Sequence, residues 1–211
     1  NTLRRAESIA PCILWIDEIE KGMAGAEASG NLDSGVTKRV FGQLLTWMEE
    51  RPKDKLIYII ATANEALSLP AALLRRFDAI FWVDLPTEKD RQEILRIHLN
   101  KKNQMSDEVE GAMARLGEVT KGFSGAEIEN VVNSAMFKAF NDGVKKVTPI
   151  HLEEASLTIT PIAKLRREDI EISRMWAKER CQFAQDEEPV NLENLHQDRV
   201  RMVKSRSINL N

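Results

Sequence analysis

The sequence predicts an α/β layered fold with a largely parallel sheet, followed by a small all-helical bundle. Three observations predict it. Continuous apolar runs of strand length occur at residues 12–16, 56–64 and 79–86. Segments of helical periodicity separate them, and after Pro86 the strands stop while helical spacing continues to about residue 184. The chain has 211 residues, with 30 basic and 33 acidic side chains and a net charge of −3. The charges are interspersed, so no field of one sign points to nucleic acid or an anionic membrane. Cys12 and Cys181 form no CxxC, and His98, His151 and His196 stand in unrelated contexts. That pattern fits a reducing compartment and argues against a disulfide framework or a zinc site. No apolar run is long enough to span a bilayer.

In chain order, residues 1–10 read as the end of a helix halted by Pro11. Residues 12–16 have the composition of a strand buried on both faces. The glycine-rich stretch 22–35, "GMAGAEASGNLDSG", has no face to bury and reads as a mobile loop, with Ser34 as a cap for the next helix. That helix is signalled by Val36, Val40, Phe41, Leu44, Leu45, Trp47 and Met48. Residues 56–64 form a second buried strand, "LPAALLRRF" a short helix opened by Pro70, and 79–86 a third strand. Beyond the Pro86-Thr87 joint, helices are predicted over 88–101, 109–116, 124–140, 150–157 and 167–184. A capping box Ser124-x-x-Glu127 opens the third of these, and Thr148 the fourth. The tail 186–211 is polar and weakly patterned, the composition of a partly disordered segment. The expected division is 1–86 as α/β core, 87–160 as a helical unit and 161–211 as a C-terminal helix and tail.

The chemistry-bearing residues begin with Asp17 and Glu18, adjacent acids at the end of an apolar run. Within a regular strand they would face opposite sides, but at its carboxyl end both can turn toward a ligand. There Asp17 suits a hydrated Mg²⁺ and Glu18 the proton of an attacking water; the same pair also suits the start of a helix. Asn64 ends the second strand, where a neutral amide can bond a terminal phosphate or simply make a turn. Arg75 and Arg76 close the Pro70 helix, as partners of its dipole or as an arginine finger serving a neighbouring subunit. His98 lies on a helix, where packing is the ordinary role, and Gly125 and Ala126 at a helix N-terminus allow close backbone approach or merely a cap.

In order and spacing these signals resemble the AAA subgroup of the AAA+ ATPases. "ILWIDEIEK" resembles its Walker B strand, "IIATAN" its sensor-1 strand and "LPAALLRRFDAIFWVDLP" its second region of homology. "RQEILRIHL" and "GFSGAEIENVVNSA" resemble the lid helices that follow. The resemblance covers about residues 3–160. "ESIAPCILWIDEIEK", "DSGVTKRVFGQLLTWMEE", "FSGAEIENVV" and "LRREDIEISRMWAKER" extend it to about residue 180, toward the hypothetical-reading-frame AAA proteins of plastid and cyanobacterial genomes.

The resemblance implies the C-terminal part of a P-loop NTPase sheet core followed by an all-α lid, with ATP and Mg²⁺ as cofactors. It makes Asp17 the residue that orders Mg²⁺ through water, Glu18 the water-activating base and Asn64 sensor 1. Arg75 and Arg76 become fingers acting in trans, while His98, Gly125 and Ala126 border the nucleotide. The compact "LLRRFD" departs from the commoner "LLRxGRFD" and matches spastin and katanin relatives, which leaves open which arginine acts. No G-x-x-x-x-G-K-[ST] occurs, so the phosphate loop is expected upstream of Asn1, and this chain alone is expected to hydrolyse ATP negligibly. The family sheet places the phosphate-loop strand between the sensor-1 strand and the strand ending at Pro86, so without it two strand edges lack partners.

The implied activity is an ATPase in a hexameric homo-oligomer that remodels a protein client in the cytoplasm, or in the plastid stroma of an alga. The 22–35 loop would be a pore loop or an inert connection. The alternative is a nucleotide-switched scaffold or a silent regulatory subunit, although silent subunits have no need of the intact acid and arginine set. A protease is disfavoured because no H-E-x-x-H occurs.

Overall fold

The structure is a computed structural model that describes residues 2–22, 32–52, 54–185 and 189–192. Contacts divide the chain into two units between Ile80 and Phe81.

The first unit opens with helix α1 (Thr2–Ser8), which ends before Pro11, and strand β1 (Cys12–Ile16). Helix α2 (Leu32–Glu50) leads to strand β2 (Ile57–Ala61), which lies parallel to β1 with Cys12 opposite Ile57 and Ile16 opposite Ala61. A parallel pair needs such a crossover, and α2 supplies it. Its stripe of Phe41, Leu44, Leu45 and Met48 packs with Ile16 and Ala61 around the buried Ile19 and Leu73. Trp47 fastens α2 to α1 through Nε1–H donated to Glu7 at 2.6 Å. A 3₁₀ turn (Ala66–Ser68) and the short helix α3 (Ala71–Leu74) close the unit, with Pro70 as the residue before the first turn.

Two expectations need correction here. Ser34 lies inside α2 and does not cap it, so helix begins within the stretch expected to be a loop. Residues 23–31, the rest of that stretch, lie outside the described residues. The strands are not buried on both faces either. Alternate residues Ile13, Trp15 and Tyr58 are 68%, 68% and 66% exposed. An apolar run is the composition for a sheet between two layers, but among the described residues only one face of this pair has a layer against it.

The second unit opens with strand β3 (Phe81–Trp82) and continues through α4 (Glu88–Lys101), α5 (Asp107–Gly111), α6 (Met113–Val119), α7 (Gly125–Asn141) and α8 (Pro149–Thr158). It ends with α9 (Ile162–Leu165), α10 (Arg167–Arg180) and strand β4 (Gln182–Phe183). The helices bury Leu95 and Leu99 of α4 and Leu116 of α6 against Phe123, Ile128 and Val132. Reciprocal caps define the helix starts. Thr87 pairs with Asp90, and Ser124 with Glu127 as the sequence predicts. At Thr148 the backbone N–H donates to His151 Nδ1 at 3.0 Å, which places the ring proton on Nε2, facing Asp142 Oδ2 at 3.1 Å. The buried Arg91 guanidinium donates to the Gly117 carbonyl at 3.0 and 2.9 Å and to the Pro86 carbonyl at 2.8 Å. A Cβ at Gly117 would lie 2.7 Å from Gln92 Cγ, so a larger residue there would force the Gln92 side chain to move.

The C-terminal part departs from expectation. The third strand covers only Phe81–Trp82, and its hydrogen-bonded neighbour is β4, parallel to it, in a stretch read as helix. Beyond the two-residue ladder the Gln185 amide imitates a strand. It accepts from Asp84 N–H at 3.1 Å and donates to Asp84 O at 3.0 Å. Arg174 of α10 binds the buried Asp84 carboxylate through two 2.8 Å hydrogen bonds and donates to Val190 O at 2.9 Å. Leu192 is buried beside Ala163, so this part of the tail is packed. Residues 186–188 and 193–211 lie outside the described residues.

Candidate functional site

The site-bearing tip of the first unit is built by β1 and β2 running out side by side. The ladder continues one step past each strand: Thr62 N–H donates to Ile16 O at 3.0 Å, and Ile19 N–H donates to Thr62 O at 2.9 Å. Between these two bonds the chain makes the turn that carries Asp17 and Glu18. Glu18 has φ +49°, the left-handed region that costs a non-glycine residue about 1–2 kcal/mol. This breaks the strand alternation that would send neighbouring side chains apart.

The result is a polar cluster. The Thr62 hydroxyl accepts from Glu18 N–H at 3.1 Å and donates to Asp17 Oδ1. The Asn64 amide donates to Glu18 Oε1 at 3.0 Å. Lys21 donates to Glu18 Oε2, and that hydrogen bond holds the exposed Lys21 ammonium above its ordinary pKa. Asp17, Glu18 and Asn64 thus lie together at one strand tip, on groups no more than two residues apart along the 62–64 segment. Asp17 is exposed, and its Oδ2 has no hydrogen-bond partner among the described residues. Chemically, this is a solvent-facing pair of carboxylates with an amide donor beside them.

The two arginines differ. Arg76 is consumed by its own unit: it donates to Leu45 O at 3.1 Å, Ala72 O at 2.5 Å and Glu49 Oε2 at 2.7 Å. Arg75 is exposed and has no hydrogen bond or ion pair among the described side chains.

The remaining expected residues belong to the second unit. His98 is mostly buried on α4, with Nδ1 3.7 Å from Glu129 Oε1 and no hydrogen-bond partner for that nitrogen among the described residues. Gly125 and the exposed Ala126 form the first turn of α7. A Cβ at Gly125 would meet only Ile94 at an ordinary 3.9 Å, so internal packing does not require glycine there. A cleft of about 590 Å³ opens in this unit, with Trp82, Leu85, Ile94, Ser124, Gly125 and Gln185 among its walls. It takes in Gly125 and leaves out His98 and Ala126.

Sequence reasoning missed Thr62, Lys21 and Glu20. Thr62 becomes visible only once the register is known, since Ile16 opposite Ala61 places Asp17 next to it. Glu20 carries a signal in its own position, an acid two residues after Glu18; it is 8% exposed and accepts from Asn64 N–H at 3.0 Å. Among the described residues there is no group of three or more His, Cys, Asp or Glu side chains arranged to hold a metal, and no helix long and apolar enough to cross a membrane.

Residues 1–85 match the model of the ATPase family associated with various cellular activities, AAA, and residues 113–154 match the AAA+ lid domain. The AAA domain-containing protein ycf46 of Guillardia theta is 41% identical over 177 residues, covering 82% of this chain and 33% of that protein. The ycf46 protein of Pyropia yezoensis is 38% identical over 174 residues, covering 82% of this chain and 34% of its own length. The chain therefore spans about a third of the length of the curated relatives it matches. The crystal structure of the FIGL-1 AAA domain superposes with a TM-score of 0.72 at 21% identity, over 85% of this chain and 61% of that one, which is a likeness of fold. Two family models in chain order, an α/β unit followed by a helical lid, and relatives of this identity lead to one conclusion: the chain belongs to the AAA family of AAA+ ATPases.

Proposed function

We propose that this chain supplies the hydrolytic face of an ATPase that works at subunit interfaces of a ring. The observation that carries the reading is the 3.0 Å hydrogen bond from the Asn64 amide to Glu18 Oε1, beside Asp17 at the tip of two parallel strands. An acid and a neutral donor that touch each other can also share one small target, a water and the phosphate oxygen it approaches.

In this reading Glu18 accepts a proton from the attacking water, and Asn64 bonds the terminal phosphate and keeps the base oriented. Before that step the Lys21 contact must open, which an exposed ion pair does at little cost. Asp17 suits a hydrated Mg²⁺: it is exposed, one of its oxygens has no partner among the described residues, and Mg²⁺ keeps most of its waters and needs few protein ligands. The ion, when bound, neutralises charge on the phosphates. Arg75 is the finger for a neighbouring subunit, while Arg76 holds the C-terminal end of α2 and so positions α3. His98, Gly125 and Ala126 serve the nucleoside end, as the family resemblance implies, and ATP hydrolysis is then coupled to a protein client. A hexameric ring, and a stromal or cytoplasmic site of action, complete the proposal.

The test is ATP turnover by the full-length protein that carries this sequence. Glu18→Gln keeps the shape and the Asn64 contact but removes the base, and should lower kcat by about 10²- to 10⁴-fold while nucleotide is still bound. Undiminished turnover would end the proposal. The present chain alone, with no phosphate-loop motif, should show negligible turnover in the same assay.

A further inference from the structure

We infer that Glu20 is a positioning residue for the reaction, one that sets the orientation of Asn64 without touching nucleotide. The inference rests on the proposed roles of Glu18 and Asn64, and adds to them a carboxylate that the family motifs leave unassigned.

Glu20 is 8% exposed in a chain whose other acids at this tip face solvent. Burying a carboxylate is costly unless its oxygens are bonded, and here only one is. Glu20 Oε1 accepts the Asn64 backbone N–H at 3.0 Å, whereas Oε2 is buried with no hydrogen-bond partner among the described residues. An arrangement chosen for stability alone would favour an apolar side chain of similar volume at this position. What the carboxylate does achieve is geometric. Asn64 stands two residues beyond Thr62, the last residue whose backbone is held by the ladder, so nothing in the sheet restrains it. The hydrogen bond that Asn64 N–H donates to Glu20 is the next restraint along the chain. It holds the main chain of the residue whose side chain reaches Glu18 at 3.0 Å. The turn thus wraps the 62–64 segment from two sides, with Glu18 N–H on the Thr62 hydroxyl and Glu20 on Asn64 N–H, and the amide is aimed at the base between them.

Two substitutions in the full-length protein separate this role from a structural one. Glu20→Gln retains an acceptor for Asn64 N–H and should leave kcat within about threefold of wild type. Glu20→Met fills the same space with no acceptor; kcat should fall about tenfold or more with KM for ATP unchanged, and the thermal midpoint should be equal or higher. The double variant Glu20→Met with Asn64→Ala should be no slower than Asn64→Ala alone, because both remove one positioned amide. A Met variant that turns over at the wild-type rate, or that fails to fold, overturns the inference. So does a Gln variant as slow as the Met variant, or a double variant whose losses multiply. The underlying reading is judged separately by Glu18→Gln and Asn64→Ala: if those two are slow while Glu20→Met is not, only the positioning role of Glu20 falls.

Discussion

The two units are held together by different means. In the helical unit, fifteen buried residues form one continuous core, and the caps are made by neighbours three positions apart in the sequence. Among the described residues of the α/β unit only Ile19 and Leu73 are buried members of the apolar cluster, and part of the binding comes from polar links between distant segments, such as Arg76 to Glu49 and Glu20 to Asn64. A helix satisfies its own backbone and needs one apolar stripe covered; a parallel strand pair needs layers on both faces and bonds along both edges. The difference teaches where chemistry can reside. Asp17 Oδ2 and the Arg75 side chain, which have no partner among the described residues, and the left-handed Glu18 all belong to the unit whose described core is smaller. The helical unit has a left-handed residue of its own, Asn103 at φ +54°, and buried His98 Nδ1 and Trp82 Nε1 atoms with no partner among the described residues. What marks the α/β tip is that its left-handed residue carries a carboxylate beside Asp17 and Asn64, held by tightly linked neighbours.

The contrast between Arg75 and Arg76 gives the largest effect to test. Adjacent in sequence, one side chain has no partner among the described residues and the other donates to three acceptors within its unit. In the full-length protein Arg75→Ala should lower ATP turnover by about 10³-fold or more and leave the thermal midpoint unchanged. Arg76→Ala should instead destabilise the α/β unit by about 1–2 kcal/mol, since it removes bonds to backbone carbonyls and to Glu49. Mixing inactive Glu18→Gln subunits with Arg75→Ala subunits should restore turnover if the finger acts across a subunit boundary. No recovery on mixing, with both single variants slow, would place Arg75 in its own subunit's site.

A second comparison sets core against open sheet. Phe123 is fully buried among the lid helices, and truncating it to alanine should cost about 3–5 kcal/mol in urea or thermal unfolding of this chain. Trp15, equally large in its apolar area but 68% exposed on β1, should cost under about 0.5 kcal/mol on the same substitution. In the full-length protein Trp15→Ala should cost several times more if further chain covers that face. Equal costs for Trp15→Ala in the two contexts would show the face to be open in both.

How much of this was legible in the sequence depended on whether the signal was local. The cap Ser124–Glu127 and the helix Glu88–Lys101 follow from spacing within one turn, and both stand as read. The pair Asp17-Glu18 at a strand end and Asn64 at the next were also visible, because apolar runs mark where strands stop. What the sequence could not show was the register. Thr62 joins the cluster only because β1 and β2 align Ile16 with Ala61. Likewise β4 was hidden: Gln182 and Phe183 carry no strand periodicity, and they pair with Phe81 and Trp82 a hundred residues away because Arg174 and Gln185 bind Asp84. Ser34 was misread for a related reason. A polar residue before an apolar stripe looks like a cap, yet α2 starts at Leu32.

The smallest effect concerns Lys21, and it probes how loosely the Glu18 side chain is held at the strand tip. The Glu18 hydrogen bond raises the Lys21 pKa above its ordinary value of 10.5, so the ion pair favours the folded chain while Lys21 is charged in both states. That contribution is fully present below the unfolded value and is lost as pH rises through the higher folded value. The difference in urea midpoint between wild type and Lys21→Met should therefore be constant from neutral pH up to about pH 10 and shrink above the 10.5 of the free side chain. It should be small throughout, because the ammonium is exposed and screened by salt. In the full-length protein the same substitution should leave ATP turnover unchanged or faster if Glu18 has the proposed role, since it would no longer have to release a cation before taking up water. A marked slowing would mean that Lys21 itself serves the phosphate, and would move it from a tether of the base to a member of the site.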